Sequence, residues 1–148
     1  MFDNELNKYK IRGHFTYKPS ETFRTKCNAP IEESGVYLIY KIINSTEILI
    51  YIGSSGQRSE DGNLKHRKGG MKDRLVNGYH PNRFGQLKRI KRSKAFPQQM
   101  ENEKISEIKI YWWVTFDKDN SDFPTDIETV LRAKYFDKYK RLPDWHQQ

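Results

Sequence analysis

The run from Gly35 to Gly53 constrains this chain more than any other stretch. Gly35-Val36-Tyr37-Leu38-Ile39-Tyr40-Lys41-Ile42-Ile43 is dense in strand-forming residues, and Asn44-Ser45-Thr46 is turn chemistry. Ile48-Leu49-Ile50-Tyr51-Ile52 is the return strand, stopped by Gly53-Ser54-Ser55-Gly56. Both strands are apolar on both faces, so the hairpin is expected in a sheet covered on each side.

The parity of that hairpin decides where its tyrosines point, because strand side chains alternate faces. With Tyr37 opposite Tyr51, the pairing needs an odd-length loop or a bulge centred on Asn44. A tight two-residue turn at Asn44-Ser45 would send the two phenols to opposite faces.

Further strands and helices are legible around the hairpin. Residues 107–116 alternate well enough for a third strand, with Trp112 and Trp113 on opposite faces. A short helix is expected from Met71 to Asn77, stopped by Gly78, and a second from about Asn82 to Ser93. A last helix is expected over about 126–140, with Ile127, Val130 or Leu131, Tyr135 and Tyr139 as its apolar stripe. The fold class is therefore α+β: a small, mostly antiparallel three-stranded sheet flanked by helices. Residues 1–33 read as an N-terminal extension packing on or extending a core domain of residues 34–148, with Phe15 and Tyr17 in a short strand. Residues 56–70 have the composition of a loop.

Charge bears on the partner. The formal net charge is +8 over 148 residues, which fits a polyanionic partner and equally a soluble basic protein with none. The run Lys88-Arg89-Ile90-Lys91-Arg92 would serve as a solvated helix face or meet backbone phosphates, and Lys72 joins it as a candidate nucleic-acid contact. The single cysteine, Cys27, excludes an intrachain disulfide and fits a reducing compartment. No apolar run reaches the ~18 residues of a membrane span, and the N-terminus lacks a leader pattern, so no membrane partner and a cytoplasmic location are expected. His14, His66, His80 and His146 are scattered without zinc-site spacing.

The paired tripeptides Gly35-Val36-Tyr37 and Tyr51-Ile52-Gly53, followed by Arg74 and Glu128, resemble the motif of the GIY-YIG nucleases. The second tripeptide matches letter for letter, and the first carries valine for isoleucine. The likeness covers residues 34–143, and the stretch from Glu128 to Pro143 is similar to the glutamate helix of the restriction-endonuclease branch. The asparagine that other branches place after the closing proline is missing. Pro143-Asp144-Trp145-His146 stands there instead, which leaves the roles of Asp144 and His146 open.

The resemblance implies a metal-dependent DNA endonuclease. Tyr37 would be the general base, Tyr51 would help order the attacking water or polarise the first phenol, Arg74 would hold the scissile phosphate, and Glu128 would bind one divalent cation, Mg²⁺ by preference. His80 is an auxiliary candidate for proton transfer or phosphate contact, with a plain surface histidine as its alternative. A free phenol titrates near ~10, so a tyrosine base needs cations around it, for which Lys41, Lys72 and Arg74 are candidates. Arginine suits phosphate through its planar donors, and Mg²⁺ needs only one or two protein carboxylates. Thr125-Asp126-Ile127-Glu128 also fits a capping box, a role that competes with metal binding at Glu128. One such site cuts one strand, so double-strand cleavage needs two sites or two events, and a homodimer follows as an expectation. The alternatives are a non-catalytic nucleic-acid-binding module on the same scaffold and an RNA-cleaving nuclease.

Overall fold

The computed structural model describes residues 1–80 and 89–146. In chain order its elements are α1 (Asp3–Leu6), β1 (Arg12–Tyr17), α2 (Phe23–Lys26), β2 (Ser34–Ile43), β3 (Thr46–Ser55), β4 (Gln57–Arg58), β5 (Leu64–Lys65), α3 (Gly70–Asn77), α4 (Arg92–Asn102), β6 (Ile108–Phe116) and α5 (Pro124–Tyr139). The fold is α+β. Its main sheet has four antiparallel strands in the order β1-β6-β2-β3, and β4 pairs with β5 in a small second sheet. The sheet is one strand wider than the sequence suggests, because β1 adds to the free side of β6 with Phe15 opposite Ile110. The stretch 56–70, which has a loop's composition, contains the β4–β5 pair.

The hairpin turn is tight. Ile43 pairs with Thr46, and Asn44 and Ser45 sit at φ 50° and 66°, the left-handed pair of a two-residue hairpin loop. On its own this turn would separate the phenols. A bulge corrects the parity: Tyr40 pairs with Leu49 and Ile39 with Tyr51, which leaves Ile50 as an extra residue in β3. Above the bulge Tyr37 lies opposite Gly53, not Tyr51. Tyr51 is then Tyr37's diagonal neighbour on the same face.

Both faces of the sheet are covered. On one, Tyr37, Ile39, Ile50, Ile110 and Trp112 pack with Phe23, Leu75, Phe96 and Trp145. On the other, Val36, Leu38 and Ile52 pack with Phe2, Leu6, Leu131 and Tyr135. Each fully buried large side chain contributes about 1.5–3 kcal/mol. Trp112 joins the first face and Trp113 the second, as the alternation predicts. No helix among the described residues is long and apolar enough to cross a membrane.

Two helices differ from their expected bounds. Arg89 has φ 63° and Lys91 is extended, so residues 89–91 are not helical, and 81–88 lie outside the described residues. The helix there, α4, begins at Arg92 and carries Pro97 in its interior, where a proline usually ends a helix. At α5, Pro124 takes the first turn and Phe123 the cap position, so the capping box does not form. Glu128 lies past the first turn and is free of that role. In the stripe, Leu131 is buried and Val130 is exposed.

Candidate active site

Tyr37 lies in the central strand β2 and is fully buried. Its hydroxyl finds no acceptor, and the group that approaches it is the Arg74 guanidinium. The ring lies across Gly53, where a Cβ would come within 2.5 Å of both Cζ and Oη. The glycine of the second tripeptide is thus the floor on which the tyrosine of the first rests. The Tyr51 ring centroid is 6.2 Å from that of Tyr37.

Two arginines close over the phenols from the helices. Arg74 on α3 is half-buried, and Tyr37, with Tyr51 and Glu128 behind it, strengthens the hold on its proton. Arg92, at the start of α4, is fully buried, with Cζ 5.6 Å and 5.7 Å from the ring centroids of Tyr37 and Tyr51. Its Nη1 donates to the Arg74 carbonyl at 2.8 Å. The cations acting on Tyr51 are Arg92 and Arg74. The candidates Lys41 and Lys72 lie elsewhere: Lys41 pairs with Asp144 at 3.8 Å, and the Lys72 charge bears on the Cys27 thiol.

Glu128 approaches from the opposite face, around the outer strand β3. Ser54 Oγ donates to its Oε1 at 2.6 Å, and Arg132 Nη1 donates to its Oε2 at 3.1 Å. Its charge reaches Tyr51 and Arg74. The C-terminal tail closes the same edge. Trp145 N–H donates to the Ile50 carbonyl, and Ile52 N–H donates to His146 Nε2, each at 2.9 Å. The His146 ring stacks on Tyr51, with centroids 4.2 Å apart and planes 16° from parallel. His146 therefore occupies the site at its edge, a place that sequence reasoning left open.

Burial, followed by the charge of the Tyr37 phenol, pushes Tyr51 up to about 12, and the two arginines only partly offset this. At neutral pH Tyr51 is a hydroxyl donor rather than a base. Burial lowers His146 to about 4, helped by Arg132. It lowers His80 to about 4 as well, helped by Arg92, with Gln99 pulling the other way. Both histidines bind a proton more readily when unfolded, so stability is full above about pH 6.5 and is lost toward about pH 4. Urea midpoints should fall between about pH 7 and about pH 5, and His80→Phe should flatten that slope. An equal slope in the variant would contradict the assignment.

An open cleft of about 460 Å³ adjoins Arg74, lined by Ser54, Gly56, Lys65, His66, Lys68 and Thr125 among others. His66 Nδ1 lies 2.6 Å from Ser34 Oγ. The basic run 65–68, visible in the sequence but grouped there with a loop, forms one wall of this cleft.

The structure brings Tyr37, Tyr51, Arg74 and Glu128 to one neighbourhood. His80 is 3% exposed and packs edge-on against Phe96 and Trp145, so it is neither a surface residue nor part of the cleft wall. Arg92 is not on a solvated face, and this overturns its expected phosphate contact. Arg89 and Lys91 are exposed, Lys72 is half-buried, and Lys88 lies outside the described residues. Among the described residues no group of three His, Cys, Asp or Glu side chains could hold a metal. Glu128 with the Ser54 hydroxyl still suits a hard cation that keeps waters and takes its remaining oxygens from a phosphate. Comparison with protein-family models, curated proteins and solved structures returned no match.

Proposed function

We infer that the chain is a divalent-metal-dependent DNA endonuclease of the GIY-YIG type that its tripeptides resemble. The observation that carries this reading is the convergence of two phenols and a guanidinium, from β2, β3 and α3, beside a basic cleft. Arg74 lines the cleft and holds the scissile phosphate. The Tyr37 oxygen takes a proton from the attacking water as the new O–P bond forms. The P–O bond to the leaving oxygen breaks, and that oxygen takes a proton from solvent. Tyr51 keeps its own proton and donates its hydroxyl. Glu128 would hold the cation, Mg²⁺ by chemistry, which when bound neutralises charge on the phosphate oxygens. Lys65 and Lys68 extend the cationic wall along the strand, so binding should weaken with salt. Double-strand cleavage would use a homodimer or two successive nicks, and the reducing setting suggested by a lone cysteine fits a cytoplasmic site of action.

Purified protein incubated with supercoiled plasmid and Mg²⁺ should nick it, and labelled RNA offered in competition should be spared. Glu128→Ala should lose on the order of 10³-fold in rate while still binding DNA. Undiminished cutting by that variant would remove Glu128 from the chemistry. Gly53→Ala should also cut about 100-fold more slowly, because its methyl takes the space of the Tyr37 phenol.

A non-catalytic nucleic-acid-binding module is the second reading. It is favoured by the full burial of Tyr37 and by the contacts that Ser54 and Arg132 already make to Glu128. DNA binding with no nicking under any divalent cation would select it.

A further inference from the structure

Arg92 is buried without a counter-ion among the described residues. Among the described residues it is the lysine or arginine most completely enclosed, at 0% exposure, and it makes no ion pair with a carboxylate. One nitrogen donates to the Arg74 carbonyl, while Nε and Nη2 find no acceptor. A buried guanidinium in this state is costly, since no carboxylate among the described residues replaces its hydration. The two phenol rings beside it attract the cation, but ring faces do not satisfy in-plane N–H donors. Within the same enclosure the Tyr37 hydroxyl has no acceptor, and the group that approaches it is the Arg74 guanidinium. A cation without a carboxylate and a phenol that faces only cations share one pocket.

We propose that Arg92 is the fixed counter-cation of a phenolate at Tyr37. The Tyr37 O–H bond breaks, the proton passes to solvent water, and the electron pair stays on Oη between Arg92 and Arg74. The other groups facing this pocket are Tyr51 from β3, Glu128 from α5, His80 after α3 and His146 from the tail. Tyr51 and the two histidines are neutral at physiological pH, which leaves Glu128, whose charge reaches Tyr51 and Arg74, as the opposing charge. Arg92 acts through Tyr37 and is a positioning residue. The inference deepens the nuclease reading, in which Tyr37 must accept a proton, but it can be tested without cleavage.

The test is a near-ultraviolet difference spectrum of wild type minus Tyr37→Phe, taken at neutral pH, well below the range in which free tyrosine ionises. One tyrosinate band is expected. Arg92→Met should lose the band, and Arg92→Lys, which keeps a charge, should retain it. In plasmid cleavage Arg92→Met should lower kcat about 100-fold and leave KM within about twofold. A band that persists in folded Arg92→Met overturns the proposal. So does the absence of any band in wild type, a result that stands even if Arg92→Met fails to fold. A chain that shows the band, loses it in both Tyr37→Phe and Arg92→Met, and never cuts DNA would sink the nuclease reading alone.

Discussion

Tyr37→Phe is expected to abolish cleavage and, at the same time, to destabilise the protein. The two effects have one origin. Tyr37 is fully buried, and its oxygen is the charge set against the enclosed guanidinium of Arg92. Phenylalanine keeps the ring against Tyr51 and over Gly53 and removes only that oxygen. Arg92 is then left as a buried charge without its anion, which should cost about 3 kcal/mol. The rate should fall about 10²–10⁴-fold, the usual contribution of a positioned proton acceptor. Chemical denaturation and single-turnover plasmid nicking measure the two quantities on the same preparations. Near-normal turnover would contradict the general-base role, whereas an unchanged or raised stability would mean that Tyr37 carries no charge against Arg92 in the folded chain.

The hairpin was legible because its signal is redundant: many β-branched residues on both sides of a turn all agree. Its parity was not legible, because it depends on one extra residue. Ile50 is chemically indistinguishable from Ile48 or Ile52, and nothing in its side chain announces a bulge. Tyr37 and Tyr51 share a face as the tripeptides require, but through a bulge well inside β3 rather than a long loop at Asn44. Helix α4 was hidden by Pro97, which reads as a stop, and by the basic run before it, which reads as a solvated face. Arg92 belongs to that run by composition and to the core by position. Only the approach of α4 to the two phenols distinguishes it from Lys91, its exposed neighbour. The ambiguity at Glu128 was a matter of where a helix begins. The Thr-x-x-Glu spacing fits a cap, but Pro124 starts α5 early enough to leave the carboxylate for Ser54. His146 could not be placed from sequence, since its position depends on a tail folding back onto the edge of β3.

Gly35→Ala should be the most destabilising single-methyl change in the hairpin. The two motif glycines look equivalent in sequence, yet the obstacles they avoid differ in kind. At Gly53 an added methyl meets a side chain, which can swing away at the expense of activity. At Gly35 it would come within 1.8 Å of the Trp113 carbonyl oxygen and 2.9 Å of the Val114 Cα, both backbone atoms of the neighbouring strand. The strands are close there because the β2–β6 ladder shifts register: Ser34 pairs with Phe116 but Gly35 with Val114, leaving Thr115 between them. Thr115 is itself buried, and its hydroxyl donates to the Asp122 carbonyl at 3.0 Å, so β6 is tied on its far side and cannot retreat. Relief must come from parting β2 and β6 at the centre of the sheet. The expected cost is about 3 kcal/mol or more, a fall in the thermal midpoint on the order of 10 °C, read by circular dichroism. A midpoint within about 2 °C of wild type would mean that β2 and β6 do not meet in this register, and the alignment of Tyr37 with Trp112 would be lost with it.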